Sequence, residues 1–135
     1  MEYKLTAKAY HEALKQNKLL GLKCKACGAL TATPRMVCRK CGSTDLEILQ
    51  LKGNGKLRTF TSVFVAAEGR ESECPYVIVM VELEEGPWLM GNLEGIEPAK
   101  VTMDAVGKKV KMGTKVFAGD KYSAGDSARP VFSFA

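Results

Sequence analysis

The sequence predicts a mainly β chain: a short N-terminal helix, a four-cysteine ribbon, and a small barrel of about five strands. Three observations lead there. Four of the five cysteines fall into two C-x-x-C pairs, Cys24/Cys27 and Cys38/Cys41, each followed by a glycine, Gly28 and Gly42. Ahead of these pairs the apolar residues recur at helical spacing. From residue 46 onward they form β-branched runs separated by turn residues, as in a small barrel or sandwich. The expected division is a helical segment over 1–23, a ribbon over 24–45 and a barrel domain over 46–135.

The helix is expected over about residues 6–17, where Ala9, Tyr10, Ala13 and Leu14 share one face and Leu5 adjoins it. Thr6 suits its N-cap. One amphipathic helix of this length cannot bury its stripe alone, so it must dock on the domain or on a partner. "NKLLGLK" then leads into Cys24. Glycine after each second cysteine lets the backbone turn where a Cβ would clash. Residues Gly28 to Val37, between the pairs, suffice for a short hairpin that brings the two knuckles together.

Beyond the ribbon, "DLEILQLKGNGKLRTFTSVFV" carries Leu46, Ile48 and Leu49 before the glycines and Leu57, Phe60, Val63 and Val65 after them. "GNG" at 53–55 reads as a turn or bulge. "PYVIVMVELEEG" is a strongly apolar strand, and "PWLMGNLEG" a shorter one. "IEPAKVTMDAVG" has room for a helical turn, "KKVKMGTKVFAG" is a strand with Val110, Met112 and Val116, and "RPVFSFA" closes the chain as another. Five strands with a helical connection between the third and fourth make the OB-fold arrangement.

The apolar fraction of 46% is that of a globular chain. No apolar run approaches the roughly 18 to 20 residues of a membrane span, and the polar N-terminus lacks a signal core. A cytoplasmic location is the default expectation, and there thiols stay reduced. The net charge of +5 is unevenly spread. Residues 18–41 carry Lys18, Lys23, Lys25, Arg35, Arg39 and Lys40 without an acid, and residues 68–97 carry eight glutamates against Arg70. Residues 98–121 turn basic again. Such segments favour an anionic partner: nucleic acid, a phosphorylated cofactor or an acidic protein face.

Two C-x-x-C knuckles supply four soft ligands to one tetrahedral ion, with no position left open for water. A structural zinc bound by Cys24, Cys27, Cys38 and Cys41 is therefore expected, with iron the lesser alternative because rubredoxin-type knuckles use the same ligands. Cys74 is left over. As a nucleophile it would need His11, the one histidine, folded back beside it; the bland reading is an inert thiol beside Pro75. His11 is expected in solvent on the polar side of its helix. "GNG" lacks the third glycine and the Lys-Ser/Thr of a phosphate loop. Glu82, Glu84 and Glu85 read as solvated strand-end charges. Trp88, Phe60, Phe64, Tyr76 and Phe117 would suit base stacking, but their apolar strand phase makes core packing the default. No catalytic residue is expected.

The order of helix, four-cysteine ribbon and OB-like barrel resembles a family of zinc-ribbon plus OB-fold proteins long catalogued as a domain of unknown function. "YHEALKQNKLLGLKCKACG", "TPRMVCRKCGS", "LKGNGKLRTFTSV", "PYVIVMVELEEG" and "VKMGTKV" carry the likeness, and the residues before Tyr10 and the last sixteen match least. The resemblance implies a rubredoxin-like zinc ribbon on Cys24, Cys27, Cys38 and Cys41. It also implies a non-catalytic accessory subunit that bridges acyl-CoA enzymes, thiolases and 3-hydroxy-3-methylglutaryl-CoA synthases among them, and helps channel the thioester. No motif of the family fixes a CoA contact. From the charge pattern, Lys23, Arg35 and Arg39 on the ribbon, with Arg58 on the barrel, are the candidates for CoA phosphates. The alternative is a nucleic-acid binder, since ribbons and OB barrels both serve there; the acidic stretch on the central strands counts against it.

Overall fold

The computed structural model describes residues 3–66, 68, 71–117 and 127–135. Helix α1 (Ala7–Lys15) is followed by strands β1 (Leu19–Cys24), β2 (Leu30–Thr31) and β3 (Leu46–Leu51). Then come β4 (Asn54–Val63), β5 (Tyr76–Leu83), β6 (Trp88–Leu93), β7 (Lys109–Phe117) and β8 (Ser127–Phe134). The fold is mainly β, as the sequence predicts, with one helix, a ribbon and a closed five-stranded barrel.

Thr6 caps α1 as expected: its hydroxyl accepts a hydrogen bond from the Ala9 N–H at 3.1 Å. The helix ends where Asn17 takes a left-handed φ of 61° and the Lys18 N–H reaches back to the Ala13 carbonyl. Tyr10 and Leu14 are buried, and α1 packs on β8 and β1. His11 departs from its expected place in solvent. It is half-buried, its Nδ1 lies 2.9 Å from the Ala128 carbonyl of β8, and its ring meets that of Tyr10 edge-on.

"NKLLGLK" is not a lead-in but a strand. β1 sits at the centre of a three-stranded sheet of order β2-β1-β3, antiparallel to both neighbours. The stretch 46–51, which the sequence assigns to the barrel, pairs along its whole length with β1, from Leu19 opposite Leu51 to Cys24 opposite Leu46. Strand pairing thus crosses both of the expected divisions. Leu19, Leu22, Leu46 and Leu51 bury that sheet's inner face. Gly21 is required at its centre, because a Cβ there would lie 2.7 Å from the Thr31 carbonyl and 2.8 Å from Leu51.

The barrel closes in the order β4-β5-β6-β8-β7, with one parallel pairing, β6 to β8, among antiparallel ones. Its centre holds Leu57, Val77, Val79, Val81, Leu83, Val110 and Phe132, each at most 2% exposed. Two 3-10 turns, Pro98–Lys100 and Met103–Ala105, form the connection between third and fourth barrel strands. In "GNG", Gly53 turns the chain at φ +82° while Gly55 is already in β4. The register shift lies further on, at Arg58, between Leu57 and Thr59. Glu85, from the β5–β6 turn, accepts a hydrogen bond from the Lys52 N–H at 2.8 Å, which ties the barrel to the junction between β3 and β4.

Candidate metal centre

The two knuckles are built alike. In the first, the Cys24 N–H donates to the Ala29 carbonyl and the Gly28 N–H to the Cys24 carbonyl, at 2.9 and 2.8 Å. In the second, the Cys38 N–H donates to the Ser43 carbonyl and the Gly42 N–H to the Cys38 carbonyl, at 2.8 and 3.1 Å. Gly28 and Gly42 have φ of +79° and +76°, the left-handed turn that glycine makes at least cost. β1 delivers Cys24 from its last residue, and the loop 32–37 returns the chain to Cys38. In each knuckle the first cysteine is buried and the second exposed.

All four sulfurs lie within 4.8 Å of one another, with Cys24 to Cys41 and Cys27 to Cys38 at 3.5 Å. Sulfurs at about 2.3 Å from one tetrahedral ion are about 3.8 Å apart, so the cluster fits such an ion. A disulfide needs a separation of about 2.05 Å, and all five cysteines are free thiols. Backbone N–H groups add to the fit. Those of Cys41 and Lys40 point at the Cys38 sulfur, from 3.5 and 3.3 Å, and pull its pKa down to about 6. The Cys27 N–H, and after it that of Ala26, hold Cys24 below the ordinary thiol range. At Cys41 the Ser43 N–H acts downward, but the crowded thiols of Cys24 and Cys27 outweigh it and push the pKa up to about 12. Four thiols in this space resist ionising together unless a cation joins them.

The expected CoA residues do not converge. Lys23 is exposed on β1 opposite Glu47 and Leu30, and Arg35 is exposed in the loop between the knuckles. Arg39 donates from Nε to the Leu30 carbonyl at 3.2 Å and borders a cleft of about 340 Å3, with Thr31, Thr33 and Trp88 on its other walls. Arg58, on the barrel, is held by Glu82 at 2.6 Å and borders a separate cleft with Lys56, Lys109 and Glu84. Glu82 is therefore a paired group, not the solvated charge expected. The Cys74 thiol donates to the Val63 carbonyl at 3.3 Å, and His11 is engaged with β8, so the two form no nucleophile–base pair. Core packing does not hold for Trp88 and Phe64, which are 53% and 60% exposed; Phe60 and Tyr76 are half-buried. The Phe117 side chain and residues 120–126 of the weakly matching tail lie outside the described residues.

Comparison with known proteins decides the lineage. Residues 11–47 match the family described as ChsH2, rubredoxin-like zinc ribbon domain, and residues 49–115 the one described as ChsH2, C-terminal OB-fold domain. A DUF35 domain-containing scaffold protein of Methanocaldococcus jannaschii is 33% identical over 113 residues, 80% of each chain. The chain belongs to the DUF35 family. Among solved structures, a chain of an Ltp2-ChsH2(DUF35) aldolase is similar at a TM-score of 0.70 and 31% identity, covering 93% of this chain and 91% of that one. The benzoylsuccinyl-CoA thiolase subunit BbsA of Geobacter metallireducens is 32% identical over 77 residues, 57% of this DUF35 chain and 51% of the relative. Among the described residues, no helix is long and apolar enough to cross a membrane.

Proposed function

We propose that this DUF35 chain is a non-catalytic accessory subunit of an acyl-CoA enzyme of the thiolase type, and that Cys24, Cys27, Cys38 and Cys41 bind a structural zinc. The observation that carries the reading is the likeness to the DUF35 chain of an aldolase complex over nearly the whole length of both chains. The thiolase-subunit relative supports the acyl-CoA class of partner. The site chemistry agrees, because four sulfurs saturate a tetrahedral ion and leave it no open position for a substrate. The ion's work is to hold the loop between β1 and β3 in one shape.

Finer parts of the same proposal are a second partner, a 3-hydroxy-3-methylglutaryl-CoA synthase, and a share in holding the thioester. Lys23, Arg35 and Arg39 on the ribbon would then meet CoA phosphates that the enzyme presents. Arg58 would have to exchange Glu82 for the phosphate.

The test is affinity purification of the tagged chain from its own cells, followed by assay of the retained enzyme with and without it. A thiolase-type enzyme is expected, with its rate reduced when the chain is withdrawn. Turnover of a thioester by the isolated chain would overturn the proposal, as would a chain that retains no acyl-CoA enzyme.

A further inference from the structure

A four-thiolate site has no open position for a substrate, but its ligands are themselves nucleophiles that an oxidant can reach. The four cysteines are arranged for that reaction. Cys27 and Cys41 are exposed, and Cys24 and Cys38 are buried. A Cβ added at Gly28 or Gly42, each next to an exposed cysteine, would meet nothing within 4 Å, so the outer side of both knuckles lies open. Each exposed sulfur touches a buried one of the other knuckle: Cys27 meets Cys38, and Cys41 meets Cys24, both at 3.5 Å. An oxidant arriving at the exposed thiolate therefore finds the thiol that can close a bridge already in contact with it. Cys74 stands outside the four-sulfur cluster, its thiol donating to the Val63 carbonyl at 3.3 Å.

Resting on the zinc reading, we infer that the ribbon is a peroxide-sensitive switch, whose crossed disulfides join Cys27 to Cys38 and Cys24 to Cys41 as the site gives up its ion. The Cys27 thiolate attacks one oxygen of hydrogen peroxide. The O–O bond breaks, a sulfenic acid forms, and the other oxygen leaves as water after taking up a proton. The Cys38 thiolate then attacks the oxidised sulfur, the S–O bond breaks, and its oxygen leaves as a second water with a second proton. The two sulfurs have lost two electrons, and the peroxide has gained them. This bridge leaves Cys24 and Cys41 as ligands, one from each knuckle, too few to hold a tetrahedral ion. A second peroxide joins that pair by the same route. Arg39 lies between the two ligands of the second knuckle and borders the cleft with Trp88. Loss of the ion releases Arg39 from its place there, so oxidation alters the surface that ribbon and barrel share.

The test treats the full-length, zinc-loaded chain with hydrogen peroxide. A chromogenic chelator reports free zinc, and the emission of Trp88, the chain's one tryptophan, reports the cleft. Release of about one zinc per chain is expected, with a matching change in emission. Trypsin cuts after Lys25, Arg35 and Lys40, so each of the four cysteines falls in its own peptide and mass spectrometry reads the pairing directly. The crossed pairs are expected. A dithiol with added zinc should restore both metal and emission, and Cys74→Ala should behave as the wild type throughout. Zinc retained under peroxide would overturn the inference and leave the zinc reading intact. So would bridges within a knuckle or to Cys74, sulfinic or sulfonic acids in place of bridges, zinc that does not return, or emission that stays constant as zinc departs. A purified chain without bound metal would overturn both.

Discussion

Withdrawing the metal should unfold the ribbon loop and spare the barrel. Between Lys25 and Asp45 the regular pairing is confined to Leu30–Thr31, and two side chains, Ala32 and Cys38, are buried. Burying a pair of such small groups contributes about 2 kcal/mol. Ordering the backbone costs about 1 to 2 kcal/mol per residue, so a few residues of this loop already exceed that gain. Zinc in a four-thiolate site contributes on the order of 10 kcal/mol, the one term large enough to hold the loop. The barrel has its own core around Leu57, Val79 and Phe132 and owes nothing to the ion. The assay is amide hydrogen exchange with and without a strong chelator, with Cys38→Ser as the genetic equivalent. Residues 25–45 should lose protection while β4, β5 and β6 keep theirs, and metal analysis should find about one ion per chain. A loop that stays protected without metal, or a barrel that melts together with it, would refute the reasoning.

Three further outcomes follow from the packing. Gly55→Ala should lower stability by about 2 kcal/mol or more, read as a shift of the urea midpoint, because the new Cβ would collide with the Glu82 carbonyl and lie 2.8 Å from Val81. Leu57→Ala, at a position with no exposure, should cost about 2 to 5 kcal/mol in the same assay. Burial pushes the Tyr10 phenol up to about 12, above its usual 10, so its neutral form is the one the fold favours. The stability this supplies is whole below pH 10 and is lost as pH rises to 12; Tyr10→Phe should spare about 2 kcal/mol of that alkaline loss in urea titrations across this range.

The parts of the fold most legible in the sequence are those whose residues act locally. Cysteine spacing with its two glycines defines the knuckles, because a C-x-x-C turn closes on itself. Thr6 marks the start of α1 for the same reason, and β-branched runs locate the five barrel strands. Partnership between distant segments is not written so plainly. β1 is a short apolar run between lysines, and nothing within "NKLLGLK" reveals that its partner lies beyond the ribbon at Leu46–Leu51. His11 looks like a solvated helix residue until β8, more than a hundred positions away, brings the Ala128 carbonyl to it.

The misplacement of Trp88 has a different cause, and it bears on function. Apolar residues on consecutive positions erase the period that separates inside from outside, so "YVIVMV" and "WLM" suggest burial without saying against what. The barrel buries one phase, Val77, Val79, Val81 and Leu89, and leaves Met90 and Trp88 open to solvent. Had these outward positions served only solubility, lysine or threonine would fill them at no cost to the core. Their apolar character leaves Trp88 and Met90 as exposed surface that the barrel core does not account for. The ribbon flanks the same face through the cleft between Arg39 and Trp88. An ion that rigidifies the ribbon then also fixes where Arg39 stands relative to Trp88, so the shape of that cleft depends on the metal as much as on the barrel.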